Sequence, residues 1–159
     1  MQSDKPIKDL LLDYLPMAME NRNRLARLND MWDAAGGLTG IPESDGSAHT
    51  ARNSHKMEIA VERYLEYEKK IMPILNANTQ RMNEIESMVN AIPDYLQREI
   101  IRLRYLDADQ ETYCRQRRWS EVAFCLYGST ERKYMESIQR EHRKALEWLE
   151  RAYVPVCIK

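Results

Sequence analysis

Apolar residues recur along the first fifth of the chain at alternating steps of four and three positions. An α-helix completes a turn every 3.6 residues, so this spacing predicts a helix with a single apolar stripe. Ser3 or Asp4 can cap this helix, and Pro6 suits its first turn. The stripe consists of Ile7, Leu11, Tyr14, Ala18, Asn21, Leu25, Leu28 and Trp32.

A second stripe of the same period follows a stretch that is rich in glycine and small polar residues. Gly36 and Gly37 should end the first helix, and residues 36–54 are predicted to form a flexible loop. Ser54 can then cap the second helix. The second stripe consists of Val61, Tyr64, Glu68, Ile71, Leu75, Asn78, Met82, Ile85, Val89 and Ile92.

Two heptad helices joined by a loop are most simply an antiparallel helical hairpin, resembling a coiled coil. The loop is long, so parallel pairing with a second chain is the alternative. Asn21 and Asn78 are polar positions within the two stripes. Such positions can fix either the register or the oligomeric state of paired helices, and the sequence leaves both roles open.

Pro93 and Asp94 interrupt the second stripe and predict the start of a shorter helix. A polar stretch over residues 107–118 follows it and ends in a basic cluster. The predicted buried side of the short helix consists of Leu96, Ile100 and Leu103. Its arginines, Arg98, Arg102 and Arg104, are expected to be mostly exposed.

Two more helices are predicted on either side of a turn at Tyr127, Gly128 and Ser129, where Gly128 can take a positive φ. The first begins at Trp119 and ends at Leu126. The second extends over about residues 130–152. The inward residues are Trp119, Val122, Ala123 and Leu126 on the first helix, and Met135, Ile138, His142, Ala145, Leu146 and Leu149 on the second.

The composition agrees with an all-α protein. About 43% of the residues are hydrophobic and 31% are charged, and only 5 glycines and 6 prolines occur in 159 residues. No apolar segment reaches the roughly 18 residues that a membrane span needs, and the N-terminus does not resemble a signal peptide. The three cysteines show no metal-binding spacing, so we expect reduced thiols, with Cys125 in the core.

Three short helices with a tight turn before the last one form the arrangement of a helix-turn-helix DNA-binding domain. Ala123 is small enough for the helices to cross closely, and the last helix is apolar on one side and basic or polar on the other. Arginines can read guanine edges, and lysines mostly contact phosphates. The candidate DNA-binding residues are Arg115, Arg117, Arg118, Arg132, Lys133, Tyr134, Glu136, Ser137, Arg140, Arg143 and Lys144.

A helical bundle with a solvated charged face is the simpler explanation of the same pattern. Glu131, Glu136 and Glu141 lie among the basic residues. The net charge is only −1, divided into −3 for residues 1–92 and +2 for residues 93–159. Charge alone therefore permits nucleic-acid binding by the C-terminal part without requiring it.

Three short motifs resemble phage regulators related to region four of bacterial sigma factors. They are the segments LRYL at residues 103–106, WSEVA at residues 119–123 and REHRKAL at residues 140–146. The start of the short helix, IPD at residues 92–94, is similar as well. These features resemble the family of ArpU/RinA-like late transcription activators, and the resemblance extends over most of the chain.

The chain departs from this family in two places. The link between Leu106 and Trp119 is longer, and it can hold an extra helical turn carrying Arg115, Arg117 and Arg118. The segment between Leu126 and Ile138 is also longer, so the base-reading positions can be counted in two ways. Counting back from Ala145 selects Tyr134, Glu136, Ser137 and Arg140, which we favour, whereas counting forward from Gly128 selects Glu131, Arg132 and Lys133.

The resemblance implies a phage-encoded regulator that binds double-stranded DNA in the cytoplasm of the bacterial host and activates late genes. Residues 1–92 would be a helical arm that contacts a second copy, as a homodimer, or the host RNA polymerase. Residues 93–153 would be the helix-turn-helix domain, followed by a tail at residues 154–159. No cofactor or metal is implied, and no catalytic constellation is recognisable, so we do not expect an enzyme.

Two other functions fit the same elements. The first is a structural adaptor, in which the paired helices do the binding and the charged last helix contacts only protein. The second is a small terminase-like subunit for DNA packaging, because such proteins also join a DNA-binding domain to an oligomerising helix. Three single residues are expected to have structural roles. His142 should pack or hydrogen-bond inside the domain, and Trp32 and Trp148 should anchor the core or an interface.

Overall fold

The computed structural model describes residues 6–37, 49–107 and 115–153, and in these ranges the protein is all-α, as predicted. A short π-helical segment, Arg102–Leu106, continues the third helix, and its last turn is closed by a hydrogen bond of 2.8 Å from the Asp107 N–H to the Arg102 carbonyl. The five α-helices within the described ranges are α1 (Ile7–Gly37), α2 (His49–Asn90), α3 (Tyr95–Ile101), α4 (Trp119–Tyr127) and α5 (Arg132–Tyr153).

The two long helices, α1 and α2, pair in opposite directions. The Asn78 side-chain amide donates to the Asn21 oxygen at 3.0 Å, and further along α1 the Trp32 and Tyr64 rings lie 5.1 Å apart. Residue numbers rise on α1 as they fall on α2, which confirms the antiparallel hairpin. The two asparagines bond to each other within one chain, so they stabilise the register of this hairpin.

The second long helix begins earlier than predicted, at His49. Ser54 therefore lies inside α2 and does not cap it, and the predicted loop over residues 36–54 is too long. Residues 49–54 contain neither glycine nor proline, so nothing in them opposes extension of the helix toward the N-terminus. The rest of the predicted loop, residues 38–48, lies outside the described residues.

The chain divides into two compact units. The first unit combines Met1–Met19 with Thr79–Lys159, and the second comprises Glu20–Asn78. Helices α1 and α2 contribute residues to both units. This division differs from the boundary predicted between residues 92 and 93, because the first turns of α1 and the last turns of α2 share a hydrophobic core with the C-terminal elements.

That shared core is the larger of the two hydrophobic clusters in the first unit. It joins α1, α2, the end of α3, the π-helical segment and α5, and each of its members is at most about a tenth exposed. Burial of this much apolar surface is the main stabilising contribution to the unit. The buried members are Ile7, Leu11, Tyr14, Leu15, Ile85, Val89, Ile92, Ile101, Tyr105, Leu106, Ala145 and Leu149.

A second cluster in the same unit holds α3, α4 and α5 together around Ile100, Val122, Ala123 and Ile138. The inward sides predicted for α4 and α5 are confirmed, since their residues are buried or half-buried. The prediction for α3 was incomplete. This helix packs against both clusters, so Ile101 is also fully buried, and the arginines of α3 and the π-helical segment are half-buried instead of mostly exposed.

The second unit has a much smaller core, formed by Leu28, Ile71 and Leu75 with Tyr64 and Tyr67 packed against it. Leu25 and Trp32 belong to the predicted stripe of α1 but are exposed. In this unit α1 and α2 bury only the side chains that lie on the line of contact between the two helices. Leu25 and Trp32 lie beside that line. Of the two roles predicted for Trp32, the one in the core is therefore wrong, and the one at an interface stays a prediction.

Candidate nucleic-acid interface

Helices α4 and α5 are joined by a four-residue turn at residues 128–131. Gly128 adopts the left-handed conformation with φ of 65°, as predicted, and its N–H donates to the Phe124 carbonyl at 2.8 Å. Ala123 is fully buried in the cluster that α3, α4 and α5 share. A small residue there allows the helices to pack closely, which is what a helix-turn-helix arrangement requires.

The basic segment before α4 is not helical in its described part. Residues 115–118 form no helical turn, so the predicted extra turn carrying their arginines is not found. The Arg118 N–H donates to the Glu121 carboxylate at 2.6 Å, and Arg115 donates to both oxygens of the same carboxylate at 2.7 and 3.1 Å. Glu121 thus caps α4, and the residue at the cap position, Arg118, has extended backbone with φ of −69° and ψ of 157°. These bonds lower the pKa of Glu121 to about 2.

Arg104 ties the basic segment to the π-helical segment. Its guanidinium donates to the Arg117 carbonyl at 2.6 Å and lies 3.7 Å from the centroid of the Trp119 ring. In return the Arg117 N–H donates to the Arg104 carbonyl at 3.3 Å. The sequence pattern placed Arg104 in solvent, because the period of a regular α-helix does not describe a π-helical turn. Arg104 therefore helps to set the position of the basic segment beside α4.

His142 lies at the centre of an aromatic group beneath α5. Its Nε2 is 3.0 Å from the Tyr105 hydroxyl, and its ring makes an edge contact with Trp119 at 4.8 Å between centroids. Burial, together with the nearby charges of Arg104 and Lys8, lowers the pKa of His142 to about 4. The imidazole is therefore neutral near pH 7 and shares a hydrogen bond with the Tyr105 hydroxyl, so the predicted packing role is confirmed.

The outer face of α5 carries a strip of exposed charged residues. Between Arg132 and Lys144 the helix has five basic residues and two acidic residues, whereas the following turns carry Glu147, Glu150 and Arg151. The net charge is therefore +3 over residues 132–144, five basic minus two acidic, and −1 over residues 145–153, one basic minus two acidic. The exposed residues within 132–144 include Arg132, Lys133, Glu136, Arg140, Arg143 and Lys144. We call this set the basic strip.

Two of the predicted contact residues on α5 lie outside the basic strip. Tyr134 is half-buried against the cluster around Ile138 and stacks on Tyr127 with centroids 4.9 Å apart. Ser137 is also half-buried. The exposed face of α5 therefore includes Glu136 and Arg140, which counting back from Ala145 selected. It also includes Arg132 and Lys133, which counting forward from Gly128 selected. Both sets are represented because α5 begins at Arg132 and its inward stripe includes Tyr134.

Most basic residues of the strip pair with carboxylates of nearby residues. Arg132 bonds to Glu136 at 2.6 Å, and Lys144 bonds to Glu141 at 2.8 Å. Among the described residues, no carboxylate lies within ion-pair distance of Arg143. Exposed ion pairs contribute about 0–1 kcal/mol each, so exchange of such a carboxylate for a phosphate costs little.

The outer side of α4 borders a cleft of about 430 Å³ beside Arg115 and Arg117. Phe124 and Cys125 line it, and both are exposed. The prediction that Cys125 lies in the core is therefore wrong, because Val122 and Ala123 occupy the inward side of α4 instead. The Arg117 guanidinium approaches the Cys125 sulfur at 4.0 Å.

Over the described ranges, no helix is both long and apolar enough to cross a membrane. The same residues contain no group of histidine, cysteine, aspartate and glutamate side chains that could hold a metal ion. Comparisons of the chain with protein-family models, with curated proteins and with solved structures found no match.

Proposed function

We propose that this protein is a DNA-binding transcription regulator whose helix α5 enters the major groove. The observation that carries the proposal is the basic strip, which follows directly on the left-handed turn at Gly128. A helix-turn-helix reads DNA with the N-terminal part of its second helix, and residues 132–144 of α5 hold five basic residues against two acidic ones.

In this mechanism the arginines and lysines have different tasks. Arg132 and Arg140 can donate bidentate hydrogen bonds to guanine edges, whereas Lys133, Arg143 and Lys144 neutralise phosphates. Arg115, Arg117 and Arg118 contact the backbone from the start of α4, as the first helix of such a motif does. The Arg104 contacts with Arg117 and Trp119 hold that segment in place.

A narrower role as a phage late-gene activator rests on the sequence motifs alone. The LRYL, WSEVA and REHRKAL segments resemble sigma region four, and proteins of that kind act at promoters with RNA polymerase. On this proposal the chain works in the cytoplasm of a bacterial host. The hairpin of α1 and α2 then contacts polymerase or a second copy.

The proposal is tested by binding of the full-length protein to labelled duplexes from its own genome neighbourhood, measured by fluorescence anisotropy. We expect Arg140→Ala and Lys144→Ala each to weaken binding by roughly tenfold, which corresponds to about 1.4 kcal/mol. Arg151→Ala is the matched control, because Arg151 is an exposed arginine of the same helix outside the basic strip. Equal affinities of all four proteins would overturn the proposal.

A structural adaptor is the second candidate, and one observation favours it. The charges of the strip are largely balanced by carboxylates on or next to α5, as on a solvated helix face. An adaptor would bind none of the duplexes at low salt.

A further inference from the structure

The cleft beside Arg115 and Arg117 runs along the outer side of α4. Ser120 and Phe124 of this helix are four residues apart, as are Glu121 and Cys125, so the two pairs form neighbouring rows on one helix face. The cleft volume of about 430 Å³ lies within the range of pockets that bind small molecules. The cleft is therefore large enough to hold a small organic ligand.

Phe124 supplies an aromatic ring to this cleft. It is 62% exposed, because Val122 and Ala123 occupy the inward side of α4. Over the described ranges the ring has no aromatic neighbour within contact distance, unlike Trp119 at the start of the same helix. Phe124 is therefore open to a planar ligand, and an exposed aromatic side chain of this kind stacks favourably on any nucleic-acid base.

Arg117 supplies the net positive charge of the cleft. Its guanidinium approaches the Cys125 sulfur at 4.0 Å, and in the part of the chain that the structure describes no carboxylate lies within ion-pair distance of it. Arg115 differs, because it already donates to both oxygens of Glu121. Arg115 and Glu121 offset each other, so Arg117 is the cation that an anionic ligand would meet.

Two hydroxyl groups complete the lining of the cleft. Ser120 lies in the first turn of α4, and Thr130 lies in the turn that leads to α5. Both hydroxyls can donate to an anion that Arg117 holds. A phosphate offers three strong acceptor oxygens, enough for the guanidinium and both hydroxyls, whereas a carboxylate offers two. The lining thus matches a ligand that joins a phosphate to a planar ring.

We propose that this cleft binds a nucleotide, with its phosphate on Arg117 and its base stacked on Phe124. A free mononucleotide and an unpaired nucleotide of a DNA strand share this chemistry. The site lies on the outer side of α4 and does not require duplex binding by the basic strip. Arg117 is also among the residues proposed above to contact the duplex backbone, so on that proposal a bound nucleotide and a duplex compete for it.

Isothermal titration calorimetry of the full-length protein with thymidine monophosphate tests the proposal. Thymidine and inorganic phosphate are the two halves of this ligand, and each should bind at least roughly tenfold more weakly because it keeps only one of the two contacts. A short single-stranded oligothymidylate is titrated in parallel. Saturation by the monophosphate identifies a free nucleotide as the ligand, whereas saturation by the oligonucleotide alone identifies a DNA strand. Binding of neither would overturn the proposal, as would phosphate that binds as tightly as the monophosphate.

Substitutions in the cleft distinguish this site from binding elsewhere on the protein. Phe124→Ala and Arg117→Ala should each weaken nucleotide binding by roughly tenfold. Phe124→Ala should keep the helical circular dichroism of the wild type, because the side chain is exposed. The matched controls are Tyr95→Ala, a 68% exposed aromatic residue of α3, and Arg151→Ala, an exposed arginine of α5, and both should bind as the wild type does.

Two results with these variants would overturn the proposal. One is an unchanged affinity of Phe124→Ala for the nucleotide, and the other is equal weakening by Tyr95→Ala. Failure of the proposed function is a separate result, because it is measured with duplexes. A protein that binds the nucleotide but no duplex retains this site, and one that binds duplexes but no nucleotide lacks it.

Discussion

At the scale of single residues, His142 makes stability depend on pH. Its pKa is about 4 in the folded protein, against an ordinary value of 6.5, chiefly because the ring is buried. Above pH 6.5 the residue is neutral in both the folded and the unfolded state. As the pH falls below 6.5 the unfolded chain takes up a proton that the folded one excludes, so the free energy of unfolding decreases until the folded pKa is reached.

We therefore expect the free energy of unfolding to fall by about 2 kcal/mol through His142 between pH 7.5 and pH 5. His142→Gln keeps a side chain that can share a hydrogen bond with Tyr105 and removes the titration. Urea unfolding of both proteins at both pH values measures the difference. The same pH dependence in wild type and variant would show that His142 is not the titrating group.

Gly128 is the residue whose backbone conformation the α4–α5 turn depends on. A Cβ at this position would have open space around it, so the cost of Gly128→Ala comes from the left-handed φ of 65° alone. We expect a loss of about 1 kcal/mol in the free energy of unfolding. Gly36→Ala is the control, because its Cβ also meets nothing within 4 Å and no positive φ is involved. Equal effects of the two changes would refute this explanation of the turn.

Sequence reasoning identified Gly128 and His142, since a glycine in a turn and a histidine on an apolar stripe have local signals. It did not identify Arg104 or place Cys125 correctly. The role of Arg104 depends on Trp119 and Arg117, more than ten residues away, and on a π-helical turn that shifts the side chains. Such contacts have no signature in local periodicity.

At the scale of helices, the heptad spacing predicted both long helices and their antiparallel pairing. The start of α2 was predicted wrongly, because Thr50, Asn53 and Ser54 can all cap a helix and nothing local distinguishes between them. The two-sided burial of α3 was also missed. A short helix that packs between two clusters has no single apolar stripe, as Ile100 and Ile101 demonstrate.

The hydrogen bond between Asn21 and Asn78 allows the register of the hairpin to be tested by mutation. Asn78→Ala removes the hydrogen bonds to Asn21 and Glu20, each 3.0 Å long, and should lower the free energy of unfolding by about 1 kcal/mol. Asn76→Ala, an exposed asparagine two residues away on α2, is the control and should have little effect. A double-mutant cycle with Asn21→Ala should then reveal a coupling energy. Additive effects in that cycle would argue against a register role.

At the scale of the whole molecule, the sequence predicted the helix-turn-helix elements and most of the exposed basic residues of the site. The exact exposed face of α5 required the structure, because Tyr134 turns inward to stack on Tyr127. The division into units also required it. The two units share α1 and α2, whereas a linear reading of the sequence assigns each helix to one domain.

The most direct test of DNA recognition by the basic strip is the salt dependence of duplex binding by the full-length protein. The account predicts that the logarithm of the binding constant falls linearly with the logarithm of salt concentration, with a slope of about 0.9 for each neutralised phosphate. Arg143→Ala should reduce that slope by about one. Absence of binding at low salt, or a slope that Arg143→Ala leaves unchanged, would contradict the account and favour the adaptor.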